Sequence, residues 1–298
     1  MTTPTIRGFY DNESATVTYV VSDSATKDAI VIDPVLAYDA LSSQTSLEPV
    51  SEVTSYIESE GFKVRGVVET HAHADHFSAS RYLAERYKAP IAISAEITSV
   101  QELFKGVFHL ADETKTDGSQ FDILLEHGKR VQFGSLDFKI LATPGHTPAC
   151  VSLQIEDVVF TGDALFMEDY GTGRTDFPAG SAATLYKSVK EELYTLPPET
   201  RVFVGHDYKP GGRALKFEST IAQELDKNKL IARETTAAEF VAMREGRNDE
   251  LRAPRLIYQS IQINVFGGNL PKPEANGVRY LKIPLNMNFP TDQGGAPQ

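Results

Sequence analysis

Four short apolar runs in this chain each stop at a histidine or an aspartate, and that repeated ending limits the fold more than any other feature. "VRGVVET" runs into "HAHADH" at His71 to His76, "LDFKILAT" into "PGHT" with His146, "DVVFTGD" ends on Asp163, and "RVFVGH" ends on His206. Short apolar runs bounded by turn formers read as buried strands. A chain that repeats them, with ligand-type side chains at their ends, gathers those side chains along one edge of its sheets. Loops at strand ends are where rigid scaffolds usually carry reactive groups.

The segments between these runs have helical spacing. "ATVTYVVS" and "DAIVID" read as paired strands about a turn at Asp23 and Ser24. Ser51 is then predicted to cap a helix with Val53, Tyr56 and Ile57 on one face and Gly61 at its end. "SRYLAERY" is a second helix, and "KRVQF" and "CVSLQIE" are further strands. In "SAATLYKSVKEELYTL", Ala182, Leu185, Tyr186, Val189 and Leu193 form one apolar stripe. Thr236 and Glu239 make a capping box for a helix ending near Gly246. The class is α/β, with two β-rich halves each followed by helices, which suits two packed sheets with helices outside. Residues 1–225 are expected to form the core, and 226–298 a turn-rich carboxy-terminal extension packed on it.

Composition removes several function classes. The chain has 298 residues, 41% of them hydrophobic, enough to bury a sizeable core. Lys and Arg total 29 against 41 Asp and Glu, and the net charge of −12 would repel a phosphate backbone, so nucleic-acid partners are not expected. No apolar stretch approaches the roughly 20 residues that span a bilayer, and the opening "MTTPTIRGFYDNES" is polar. No membrane partner is expected, and the expected location is cytoplasmic. The single cysteine, Cys150, excludes an intrachain disulfide and, entering the strand "CVSLQIE", reads as a small buried hydrophobe.

Five of the seven histidines, with Asp75 and Asp163, lie at strand ends, and a metal is the economical reading of that set. His109 and His127 lie elsewhere and read as satisfied core residues. "THAHADH", His146 in "PGHT", Asp163 in "GDALF" and His206 in "GHDY" resemble the metallo-β-lactamase superfamily, whose fold is an αββα sandwich with the metal at one edge. Within it the chain is similar to the persulfide dioxygenases through "YGTGRTDF", "HDY" and "NLPKP", with "DPVLAYD" and "RYLKIPLN" matching bacterial members.

The resemblance implies one Fe(II) per chain, held by His71, His146 and Asp163, with open positions for a substrate sulfur and O₂. Asp75, His73, His76 and His206 would then orient ligands or bound water. The implied partners are glutathione persulfide and O₂, with sulfite and glutathione as products; a homodimer is compatible with the sequence. Arg174, on the "GTGR" loop, is the leading candidate for a substrate carboxylate, against the simpler role of bracing Asp176. Tyr208, Arg213 and Lys282 follow it. Two other readings stand beside this one. A hydroxyacylglutathione hydrolase would use His71, His73 and His146 for one metal and Asp75, His76 and His206 for a second, bridged by Asp163, to activate water. A nonenzymatic persulfide or metal sensor would keep the site without turnover.

Overall fold

The computed structural model describes residues 4–285; the end of the expected extension, 286–298, lies outside the described residues. In the first half the strands are β1 (Thr5–Tyr10), β2 (Val17–Ser22), β3 (Asp28–Ile32), β4 (Val35–Asp39), β5 (Gln44–Ser46), β6 (Lys63–Val68), β7 (Phe77–Ser78), β8 (Ile91–Ser94) and β9 (Ile123–Leu125). In the second they are β10 (Arg130–Phe133), β11 (Leu136–Ala142), β12 (Val151–Ile155), β13 (Val158–Gly162), β14 (Arg201–Val204) and β15 (Glu218–Thr220).

They form two six-stranded sheets, ordered β1-β2-β3-β6-β8-β9 and β10-β11-β12-β13-β14-β15, and a small sheet β5-β4-β7. Strands β3, β6, β8 and β9 run parallel, as do β13 and β14; the other pairings within the two large sheets are antiparallel. The parallel strands explain the unbroken apolar runs in the sequence. "DAIVI" and "VVFTG" are buried at every position because both faces of their sheets are covered.

Between the sheets, Tyr19 packs edge-on against Phe160 and Phe203, and its buried hydroxyl donates to Val204 O at 2.6 Å. Outside the first sheet lie α1 (Glu48–Glu60) and α2 (Ser80–Tyr87), whose Val53, Ile57 and Leu83 pack on Val31 and Val67. Also in this half is α3 (Ile97–Val107), whose Val100 and Phe104 pack with Ile93 of β8. Outside the second sheet, α4 (Ala182–Lys187) and the wider helical turn after it bury Leu185, Val189 and Leu193 against Val159 and Val202. The architecture is the expected αββα sandwich.

Two helix boundaries differ from expectation. Helix α1 begins at Glu48, not after Ser51, because Pro49 supplies a preset φ for the first turn and Ser46 Oγ accepts the Glu48 N–H at 3.1 Å. Ser51 lies inside that turn and donates to Leu47 O. Gly61 does end the helix, with φ +67. Thr236 and Glu239 form the capping box of α6 (Ala237–Glu250), but the helix passes through Gly246. An exposed glycine costs a helix only about 1 kcal/mol, and Arg244 and Asn248 tie the last turns to the loop at 172–175. After α5 (Ile221–Lys227) and α6, the last helix among the described residues is α7 (Ile257–Asn264), which packs against β7 beside the ligand-rich loop. Among the described residues no helix is long and apolar enough to cross a membrane.

Candidate metal centre

Strand β6 ends three residues before His71, β11 ends four before His146, β13 ends directly before Asp163, and β14 ends two before His206. The two sheets bring these four ends to one edge. His71, His146 and Asp163 each offer a ligand atom within 4.8 Å of the other two, and all three are buried. His146 Nε2 lies 3.5 Å and His71 Nε2 3.9 Å from Asp163 Oδ2.

Hydrogen bonding fixes which ring nitrogen each histidine presents. Thr70 donates its hydroxyl proton to Asp33 Oδ2 at 2.8 Å, so toward His71 Nδ1, 3.0 Å away, it accepts. His146 Nδ1 donates to Arg174 O at 2.7 Å. Both rings therefore carry their proton on Nδ1 and turn a lone pair on Nε2 toward Asp163. Burial, then the neighbouring His73, hold the His71 pKa well below the ordinary histidine value, which keeps that lone pair free.

A second group faces the same point. Thr16 donates to Asp75 Oδ2 at 3.2 Å and lies 3.2 Å from His76 Nδ1 and 3.4 Å from His206 Nδ1. The Nε2 atoms of His76 and His206, and Asp163 Oδ1, are buried without hydrogen-bond partners among the described residues. His206 Nε2 stands 3.3 Å from Asp163 Oδ1 and 3.8 Å from Asp75 Oδ2. Although burial works the other way, His76 and His206 hold the Asp75 carboxyl well below the usual range. Orphaned buried donors and acceptors are costly. Converging imidazole lone pairs and a carboxylate are what a divalent transition-metal ion satisfies, so the donor set fits a metal.

His73 differs from its neighbours. Its Nε2 lies 3.0 Å from Asp33 Oδ1 and 3.3 Å from Glu69 Oε2. Glu69 in turn accepts from the Ser78 and Ser80 hydroxyls. Sequence reasoning missed Thr16, Asp33 and Glu69. The signal for the two acids was an ionisable side chain closing an apolar strand, "IVID" and "VVET". It also missed Asn264 of α7, which donates to His73 O at 2.7 Å and His76 O at 2.8 Å and accepts from Ser78 N, clamping the ligand loop.

The candidate substrate residues separate. A cavity of about 400 Å³ opens on the centre, and Asp75, His146, Asp163, Arg174, Tyr208 and Arg244 contribute to its wall. Tyr208 stacks on the His206 ring at 5.5 Å. Arg174 reaches the cavity, but its guanidinium is held bidentately by Asp176 and donates its remaining arm to Arg252 O at 2.8 Å. Arg213 instead bridges Asp169 and Asp207, and Lys282 Nζ donates to Phe108 O and His109 O; neither lines this cavity. The expectation for the two outlying histidines is corrected: His109 and His127 are exposed, not core. Local backbone geometry explains both. His109 follows α3 with φ +46, and His127 sits on a turn where its Nδ1 accepts from Ala142 N. Cys150 is buried, with burial pushing its thiol up to about 12.

Comparison with known proteins now decides the family. The Metallo-beta-lactamase superfamily profile matches residues 11–206. The chain belongs to the metallo-beta-lactamase superfamily. A superfamily relative described as a probable metallo-hydrolase in Burkholderia pseudomallei is 43% identical over 95% of this chain and 99% of its own. A beta-lactamase hydrolase-like protein of Xylella fastidiosa is 44% identical over 95% of this chain, which spans only 65% of that relative's length. The mitochondrial persulfide dioxygenase ETHE1 of Bos taurus is 34% identical over 68% of each chain. Among solved structures, ETHE1 from Myxococcus xanthus covers 89% of this chain and 100% of its own at 35% identity, with a TM-score of 0.71.

Proposed function

We propose that this superfamily member is an iron-dependent persulfide dioxygenase, converting glutathione persulfide, O₂ and water to glutathione and sulfite. The observation that carries this reading is the buried grouping of His71, His146 and Asp163, two imidazole lone pairs and one carboxylate oxygen within 4.8 Å of one another. The similarity to ETHE1 supports the same choice. These three residues would hold the iron, which when bound supplies adjacent open positions for a sulfur ligand and O₂.

The remaining residues have work of their own. Asp75, His76 and His206, gathered by the Thr16 hydroxyl, orient the water whose oxygen enters sulfite and receive its protons. Tyr208 and Phe166, both on the cavity wall, restrict water there. The overall equation balances as RSSH + O₂ + H₂O → RSH + H₂SO₃, in which one S–S bond breaks and the terminal sulfur gains three oxygens.

A hydrolase with two metals is the second reading. It is favoured by the unpartnered Nε2 atoms of His76 and His206 and by the name of the Burkholderia relative. One experiment separates the two. Protein purified anaerobically is assayed for metal per chain, for O₂ uptake coupled to sulfite release from glutathione persulfide, and for hydrolysis of S-lactoylglutathione. One iron with coupled O₂ uptake is expected; two metals with thioester hydrolysis and no O₂ uptake would overturn the dioxygenase reading.

A further inference from the structure

Arg244 stands apart from every other arginine near the centre. Projecting from α6, it is 2% exposed and lines the cavity that opens on Asp163 and His146. Its Nε donates to Asn248 Oδ1 at 3.1 Å, and Nη1 reaches Thr172 O and Gly173 O at 3.3 and 3.4 Å. Nη2 is buried with no hydrogen-bond partner among the described residues. No carboxylate pairs with this guanidinium within 4.0 Å among those residues; Asp176, the nearby acid, is already engaged by Arg174.

A guanidinium has five donors in a fixed fork. A buried charge without a counter-ion costs several kcal/mol, yet the fold keeps this one in place through its neighbours. Asn248, which fixes Nε, also donates to Thr175 Oγ1 at 2.9 Å. Gly173, which receives Nη1, donates its own N–H to Asp163 O at 3.1 Å. A side chain at Gly173 would strike that same carbonyl, so the loop can lie this close to Asp163 only as glycine. Burial, followed by the proximity of Arg247, brings the Arg244 pKa down to about 10, which leaves it cationic at neutral pH. A rigid, uncompensated cation two hydrogen bonds from a metal-ligand backbone is a prepared anion site.

We infer that Arg244, through the free Nη2 edge of its guanidinium, receives a carboxylate of the thiol substrate and thereby sets which end of that substrate faces the metal. This rests on the glutathione persulfide reading for the identity of the thiol, but the anion site itself stands on the arginine's own geometry. Arg174, by contrast, contributes its carbonyl to His146 and its guanidinium to Asp176.

The test is calorimetric titration of the anaerobic, iron-loaded protein with glutathione and with its diethyl ester, in which both carboxylates are masked. Wild type is expected to bind the acid about ten- to hundredfold more tightly than the ester, the range for charge-assisted hydrogen bonds. In Arg244→Gln that preference should collapse to within threefold, with iron content unchanged, and Arg244→Lys should recover part of it because an ammonium keeps the charge without the fork. Arg233→Gln, altering an exposed side chain that does not line this cavity, should keep the preference. Equal binding of acid and ester by wild type, or full acid preference in Arg244→Gln, would overturn the inference while leaving the dioxygenase reading intact. The expected acid preference without O₂ uptake from glutathione persulfide would support Arg244 and overturn the dioxygenase. Failure of wild type to bind glutathione at all would overturn both.

Discussion

The two ends of the site are built by different parts of the chain. At the candidate metal end, buried strands from both sheets deliver His71, His146, Asp163 and His206, and short hydroxyl and carbonyl contacts orient the rings of His71 and His146. On the cavity wall beside it, a glycine-bearing loop and helix α6 supply Arg174 and Arg244, while Asn264 of α7 ties down the histidine loop. Metal ligands need only the right atom at a strand terminus. Substrate contacts depend on which partner each long side chain meets first, and Arg174 meets Asp176.

The largest break in that contrast comes from the metal end. His71→Ala and Asp163→Ala should lose bound iron and reduce O₂ uptake by roughly a thousandfold or more, since the ligand set acts as a unit. Elemental analysis beside an oxygen electrode reads both, and a full iron equivalent retained by either variant would exclude that residue as a ligand. Asn264→Ala breaks the joint between the ends. It leaves His73 O, His76 O and Ser78 N without their buried partner, and should cost about 2 to 4 kcal/mol of stability. Chemical denaturation checks this; a variant as stable as wild type would show that α7 does not clamp the loop.

A pH effect of similar size belongs to the substrate end. Burial raises Glu224 of α5 from 4.5 to about 7. Its partner Asn228 donates to Glu224 Oε2 and to Gly171 O, supporting the glycine loop. A carboxyl whose folded pKa is raised binds its proton more tightly in the folded state. The resulting stability is therefore full below pH 4.5, declines as pH rises to 7, and is flat above. The decline should reach about 3 kcal/mol, and Glu224→Gln should remove it. An unaltered pH profile of melting temperature in that variant would rule Glu224 out as the source. The smallest effect is expected for Arg174→Ala, less than about threefold in kcat/KM, because its donors are already satisfied by protein groups. A tenfold loss with iron retained would place Arg174 in direct contact with substrate.

The sequence made the sandwich legible because parallel strands covered on both faces leave unmistakable apolar runs, and because histidine is scarce enough for its strand-end positions to stand out. Thr16 and Asp33 were hidden for the opposite reason. Threonine and aspartate are common beside turns, and their roles appear only once the fold brings His206, 190 residues on, beside Thr16, and Thr70 and His73 beside Asp33. Arg244 was concealed by helix periodicity. It occupies a polar-looking position in "VAMREGRN", and nothing local distinguishes a buried guanidinium from a solvated one. Ser51 was misplaced as a cap because residue preference at a helix start yielded to the fixed backbone angle of Pro49.

The bridge that pairs Thr16 with His206 joins residues made far apart in time. During synthesis at about 5 to 20 residues per second, His71, His73 and His76 leave the ribosome well before His206. Asn264, which fixes the loop carrying those early ligands, follows later still. The loop of strand-end histidines is therefore complete in sequence long before the helix that clamps it has been made.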